Sequence, residues 1–269
     1  MLFQSDKPVD NRTLDQLAAR AAALIARAGK IVVFTGAGVS TESGIPDFRS
    51  PGGIWDRFDP DDFTYQKFIS SASARQRQWQ LLWKERLAET VQPNPAHYAI
   101  AELHRLNKLD CVITQNVDSL HLTAGVPEDK VFELHGSMRR VVCLQCHQRY
   151  TMSEIKKRLD AGEEVPDCET CHGILKPDIV LFGERLPDKV FSEAASRAEN
   201  CDLFIVVGSS LIVYPAALLP SYATDAGAEL IIINLSETPM DPQASVIINA
   251  KAGEAMSRIM QKLAEKMNG

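Results

Sequence analysis

The sequence predicts a doubly wound α/β protein with a mostly parallel sheet and a small module inserted in its middle. Three features of the sequence carry this expectation. Five short apolar runs alternate with helical stretches, a Gly-x-Gly directly follows the first run, and two Cys-x-x-Cys pairs interrupt the alternation between the second and third. Alternation of strands and helices is the pattern of a parallel sheet covered on both faces. A chain of 269 residues has room for one large domain or two modest ones. Its 45% hydrophobic and 24% charged content is that of a globular protein, which excludes disordered and low-complexity classes.

The elements follow in order. Residues 14–28 place Leu14, Leu17, Ala18, Ala21, Leu24, Ile25 and Ala28 on one helical face. Thr13 with Gln16 reads as a capping box and Gly29 as the stop. Ile31-Val32-Val33-Phe34 is too short for a buried helix and reads as a central parallel strand. Residues 112–113, 203–207, 230–233 and 246–248 read likewise, with helices expected at about 94–107, 188–199, 214–226 and 253–267. Residues 44–92 show no strand pattern and read as a loop followed by helices. The expected organisation is a Rossmann-like domain from 1–138 and 174–269, carrying the 44–92 insert, with a zinc-ribbon module at 139–173.

Cys143/Cys146 and Cys168/Cys171 form two Cys-x-x-Cys turns, which match a four-thiolate zinc site. Such a closed shell has no open position for water, so one structural Zn2+ is expected. Two redox disulfides are the alternative. His147 and His172 flank the turns as spare donors that four sulfurs leave without a task. Cys111 and Cys201 open apolar runs and read as buried small side chains.

The formal net charge of −6, and an insert with six basic and six acidic side chains, argue against direct nucleic-acid binding. No stretch reaches the roughly 18 apolar residues of a membrane helix. The N-terminal stretch lacks an apolar signal core, and Asp6, Asp10 and Asp15 argue against a transit peptide. The expected compartment is cytoplasmic, or another reducing soluble one. Nothing in the sequence sets an oligomeric state.

Gly36-Ala37-Gly38 after the first strand is where main-chain N–H groups approach a pyrophosphate. Thr41 replaces the third glycine of the dinucleotide fingerprint, and no second strand with a terminal acid follows, so an ordinary dehydrogenase is not expected. The loop continues through Ser40, Thr41, Asp47, Phe48 and Arg49, and loops of this length are usually functional. Gln115, Asn116 and Asp118 follow the next strand, where amides and an acid can fix a ribose and a carboxamide. Capping is the plainer role for Asn116 or Asp118 taken alone. His135 sits before Gly136 at the end of another short run, as a candidate general base. Gly208, Ser209 and Ser210 end the fourth strand, and Asn234, Leu235 and Ser236 the fifth.

GAGVSTESGIPDFRS, TQNVDSLH, LHGS, the four cysteines, KPDIVLFGE, GSSLIVYPA and IINLS occur in this order. Together they resemble the sirtuin family of NAD-dependent protein deacylases, and RQRQWQ followed by QPNPAH is similar to its class II branch. The resemblance implies that NAD lies across the sheet as co-substrate. Its pyrophosphate would lie at 36–38, its adenosine near Ser209, Asn234 and Ala252, and its nicotinamide and ribose by Gln115, Asn116 and Asp118. It implies an acylated-lysine protein or peptide substrate held on Val180, Phe182 and Gly183, with Val213 opposite. The amide oxygen would attack the ribose carbon as nicotinamide leaves, and His135 would take a proton from a ribose hydroxyl. Products would be nicotinamide, free lysine and O-acyl-ADP-ribose. Mono-ADP-ribosyl transfer shares every cofactor residue and is the alternative activity. Family members that remove succinyl or malonyl groups carry a Tyr-x-x-Arg pair, and the matching positions here are Leu81 and Lys84. Trp79, Leu82 and Trp83 then line an apolar acyl channel, or are simply the buried face of their helix.

Overall fold

The computed structural model describes residues 10–84 and 91–268. The chain opens with α1 (Asn11–Arg27), whose buried Leu14, Ala18, Ala21, Ala22 and Ile25 follow the predicted face. Its cap differs from the expectation. Asp10, not Thr13, is the N-cap, and its carboxylate accepts the Arg12 and Thr13 amides at 3.0 Å. Thr13 lies inside the helix because an acid three residues earlier already satisfies the free amides of the first turn. Gly29 is not a left-handed stop either. Ala28 caps the helix in extended conformation, and Gly29 donates to Asp202 Oδ2 at 2.9 Å.

β1 (Ile31–Thr35) follows, buried at every position. The insert then holds short turns, α2 (Tyr65–Ser70) and α3 (Ala72–Lys84). α4 (Pro95–Arg105) leads to β2 (Leu109–Thr114), the short α5 (Leu120–Thr123) and β3 (Val131–Glu133). Next come β4 (Gly136–Cys143), β5 (Arg149–Thr151), α6 (Met152–Asp160) and β6 (Leu175–Ile179). α7 (Asp188–Glu199), β7 (Leu203–Val207), α8 (Leu219–Asp225), β8 (Glu229–Ile233), β9 (Val246–Ile248) and α9 (Ala252–Asn268) complete the chain. Among the described residues, no helix is long and apolar enough to cross a membrane.

Six strands form one parallel sheet in the order β3-β2-β1-β7-β8-β9. The order reverses direction between β1 and β7, which makes that crevice the topological switch point. One apolar layer packs α1, α4 and α9 on one face of the sheet, through Leu14, Ile100 and Ile259. The second layer, on the other face, includes Ala194, Ala198, Leu219 and Ala223 of α7 and α8. With both faces covered, the strands carry continuous rather than alternating apolar side chains.

β5, β4 and β6 form a separate antiparallel sheet that the sequence reading did not anticipate. Its core joins Val141, Cys143, Ile155, Cys168 and Leu175 to Trp79 of α3, fully buried. The helical insert and the cysteine module are thus one packed unit. Trp79 belongs to that core, so it does not line an acyl channel. Leu81, Lys84, Leu82 and Trp83 lie outside the described side chains.

Candidate functional site

The parallel register brings the strand ends to one edge. Thr35 pairs with Thr114 and with Val207, and Val207 with Ile233. The residues that follow them, at 36–49, 115–121, 208–210 and 234–236, therefore emerge side by side. His135 leaves β3 at the same edge, two residues past Glu133.

The glycines bring two loops into contact. Gly38 N–H donates to Gly208 O at 2.9 Å and Gly36 N–H to Val207 O at 3.2 Å. A Cβ on Gly38 would lie 2.9 Å from Gly208 Cα, and one on Gly208 would lie 2.2 Å from Val39 N. These glycines seat the loops at the switch point, and both amides are spent within the chain. Thr41 Oγ1 donates to Gly38 O at 3.0 Å. Asp47 organises the loop: its carboxylate accepts the Arg49 amide at 2.9 Å and the Ser50 amide at 2.7 Å. Phe48 stacks 5.2 Å from Trp55, which in turn lies 5.7 Å from Phe182. A chain of aromatic rings thus spans from the loop to the 180–183 segment.

Ser40, 1% exposed, is the hub of the polar floor. Its hydroxyl donates to Asp118 Oδ2 at 2.7 Å and accepts Asn116 Nδ2 at 3.1 Å. His97 Nδ1 accepts the Asn94 amide at 3.3 Å, so the neutral ring carries its proton on Nε2, 3.5 Å from Ser40 Oγ. The donors of His97 and Asn116 thus converge on Ser40 Oγ, whose own proton goes to the Asp118 carboxylate. Asp118 also caps α5 through the Leu120 amide at 2.9 Å, so its capping and site geometry coexist. Below, His121 Nε2 meets Thr35 Oγ1 at 2.9 Å, Thr35 donates to Thr114 at 2.8 Å, and Thr114 accepts the Asn116 amide at 3.0 Å. Burial holds His97 down at about 4, against a partial lift from Asp118; burial, helped by the neighbouring His97, also pushes His121 well below the ordinary histidine value. Neither histidine received a role from the sequence, although both sit in quoted motifs. The only available signal was the position of His121 at the end of 114–121 and of His97 just after Asn94-Pro95.

Gln115 reaches across the edge, its Nε2 donating to Ser209 Oγ at 2.9 Å. Its carbonyl accepts from Nδ1 of His135 at 2.9 Å. A carbonyl can only accept, so Nδ1 carries the proton and Nε2 is the basic nitrogen. Burial lowers the His135 pKa, partly offset by that hydrogen bond, which keeps the ring neutral at pH 7. The carbonyl of His135 accepts the Val180 amide at 2.8 Å, tying base and segment 180–183 together. Phe182 is 45% exposed, Gly183 takes φ +81° and Val213 is half-buried. Farther along the edge, Asn234 Nδ2 donates to Ser236 O at 2.8 Å, Leu235 is exposed, and Ala252 opens α9. Ser210 is half-buried beside Ser209. Clustered hydroxyls and amides, one carboxylate and loops too close for a Cβ suit a dinucleotide.

The four cysteine sulfurs all lie within 4.8 Å of one another. Cys143–Cys171 and Cys146–Cys168 are each 3.5 Å apart, near the roughly 3.8 Å edge of a tetrahedron with zinc–sulfur arms. The close pairs run between the turns, so the arrangement is not two Cys-x-x-Cys disulfides. The turns are equivalent: His147 N–H donates to Cys143 O and His172 N–H to Cys168 O, both residues at positive φ. The histidines are turn residues outside the cluster. The Tyr150 hydroxyl, 3.3 Å from Cys168 Sγ, pulls that thiol down to about 6, favouring the thiolate a metal needs. The donor set fits one zinc ion.

A doubly wound sheet with its polar strand ends gathered at the switch point, joined to a small lobe whose four cysteines suit a structural zinc, defines a Rossmann-like α/β protein. The Sir2 family model matches residues 36–215. "NAD-dependent protein deacylase 2" of Archaeoglobus fulgidus is 45% identical over 251 residues, 91% of this chain and 95% of the relative. "NAD-dependent protein deacetylase 1" of Pyrobaculum aerophilum is 46% identical over 243 residues, 90% and 93% of the two. A solved structure described as "Sir2-p53 peptide-NAD+" superposes with TM-score 0.82 at 37% identity, covering 90% of this chain and 97% of that one. Another, "Sir2 bound to acetylated peptide", gives 0.80 at 36% identity, covering 89% and 95%. The chain belongs to the Sir2 family.

Proposed function

We propose that this protein is an NAD-dependent protein-lysine deacylase. The observation that carries the reading is the placement of His135. Its Nδ1 is pinned to Gln115 O, its Nε2 is left basic, and its carbonyl holds Val180 at the start of the segment proposed to carry substrate. The names of its relatives, and Sir2 structures with NAD+ and with acetylated peptide, support the same activity.

In this reading the loop at 36–49, with Ala37, Ser40, Thr41, Asp47, Phe48 and Arg49, cradles the phosphates and ribose of NAD, while Gly36 and Gly38, their amides already bonded, serve by letting the loops approach closely. Gln115, Asn116 and Asp118 orient the nicotinamide end, and Gly208, Ser209, Ser210, Asn234, Leu235, Ser236 and Ala252 hold the adenosine end. Bound NAD supplies a ribose carbon from which nicotinamide departs on attack by an acyl oxygen. The Asp118 carboxylate, held by Ser40, would stabilise the positive charge that develops on that ribose. Nε2 of His135 takes the proton of a ribose hydroxyl. Phe48, Trp55 and Phe182 exclude water from the acyl-lysine on Val180, Phe182 and Gly183, with Val213 opposite. The four cysteines hold zinc that shapes the small lobe, and no step passes through it.

The test incubates an acetyl-lysine peptide with NAD and weighs the products. Deacetylated peptide, nicotinamide and O-acetyl-ADP-ribose in equal amounts are expected. Peptide gaining an ADP-ribose mass without losing its acetyl group would overturn the assignment in favour of ADP-ribosyl transfer.

A further inference from the structure

The segment 180–183 is anchored from beneath by a buried charge. Lys176, on β6, is 3% exposed. An ammonium group is stable there only with partners for its protons. Nζ donates to the carbonyls of Pro177, at 3.3 Å, and Ile179, and to Glu184 Oε2 at 3.1 Å. The same carboxylate oxygen accepts the Leu181 amide at 3.0 Å. A cation below and a carboxylate at the far end thus grip the Ile179 carbonyl and the Leu181 amide on either side of Val180. β6 ends at Ile179, where its pairing with β4 also ends, so the chain beyond is no longer held by the sheet. Its other fixed points include Val180 N–H on His135 O, at 2.8 Å, and Phe182, whose N–H donates to Phe63 O at 3.0 Å and whose carbonyl accepts the Tyr65 N–H at 2.9 Å. A buried ion pair is a weak device for stability, since apolar side chains of similar volume often serve as well. Its directional bonds do what apolar packing does not: they specify one path for the main chain.

We propose that Lys176 and Glu184 are positioning residues, a clamp that fixes 180–183 relative to His135 and so sets how the acyl-lysine peptide is held. The proposal rests on the deacylase reading above and adds to it the residues that govern peptide placement. Because Val180 hangs on the His135 carbonyl, slackening the clamp moves the peptide-bearing segment against the base. The loops that hold the dinucleotide leave other strands and meet the segment through the rings of Phe48, Trp55 and Phe182, not through the clamp.

The test uses the full chain with Glu184→Ala and Glu184→Gln; Glu184 is partly exposed, and the glutamine keeps an acceptor for Leu181. Hydrogen exchange across 180–184 without substrate reports the clamp independently of activity. In Glu184→Ala this exchange is expected to quicken, and the acetyl-peptide KM to rise about tenfold or more, with the NAD KM within about twofold of the parent. Glu184→Gln is expected to restore most of both. Unchanged exchange, a peptide KM within about twofold of the parent, peptide and NAD KM rising together, or equal loss in both variants would each overturn the clamp. Absence of parent turnover on the same peptide would strike the deacylase reading instead, while the exchange comparison still decides the clamp.

Discussion

His135 Nδ1 donates to the main-chain carbonyl of Gln115 across 2.9 Å, which fixes the tautomer of the ring and leaves Nε2 as its basic nitrogen. Gln115 in turn holds Ser209 through its side chain, so the base is indexed to the strand ends on both sides of β1.

The first prediction follows from that geometry. His135→Ala is expected to lower turnover at least about 100-fold, the usual worth of a general base, while NAD affinity stays within about threefold. Steady-state kinetics beside calorimetric titration with NAD measures both. A variant keeping a tenth of parent turnover would remove the ring from the proton transfer.

Asn116→Ala and Asp118→Asn are expected to abolish exchange of labelled nicotinamide into NAD. Both groups meet at Ser40 Oγ, and neither can be replaced by water in the same orientation. Asp118→Asn keeps an acceptor for the Leu120 amide, so α5 survives and the Tm should change little. Normal exchange in both variants would reduce the pair to helix and loop capping.

Zinc removal should be visible in tryptophan fluorescence. Trp79 is fully buried in the same core as Cys143 and Cys168, so opening the cysteine turns exposes it. A strong chelator, or Cys143→Ser, is expected to red-shift emission and lower the Tm, because a structural zinc site contributes folding free energy. Native protein should carry one zinc per chain by elemental analysis. Undetectable zinc in folded protein would contradict the assignment.

Stability should fall in mild acid. His97, His121 and His135 are all held below the ordinary histidine value by burial. The unfolded chain binds these protons more readily than the native one. Stability is therefore full above about pH 6.5 and is lost as pH falls from there toward the native pKa values. For His97, whose pKa is lowered to about 4, the loss amounts to about 3 kcal/mol once pH reaches that value. Denaturant titrations at pH 7.5, 6 and 5 on the parent and on His97→Gln measure it, with a flatter profile expected in the variant. A parent profile flat over this range would refute the assignment of buried neutral rings.

The sequence by itself determined the fold class, the four-cysteine cluster and the sheet edge at which the candidate residues gather. The apolar runs at 31–34, 203–207 and 230–233 are continuous because their strands are covered on both faces, and paired cysteines at fixed spacing have few other uses. Polar residues directly after such runs mark the strand ends, so Gly36, Asn116, His135 and Ser209 were legible as candidates. Contacts between residues distant in sequence needed the tertiary structure. The Asp10 cap, the spent amides of Gly36 and Gly38, and Trp79 in the core of the cysteine lobe each depend on a neighbour that no local pattern names. The antiparallel strands around the cysteines were missed because small sheets with partly exposed faces leave short, weak alternation. The same holds for His97, His121 and Lys176. A lone histidine or lysine in a sequence carries no sign of burial, and only packing decides whether its protons meet water or the partners that give it a role.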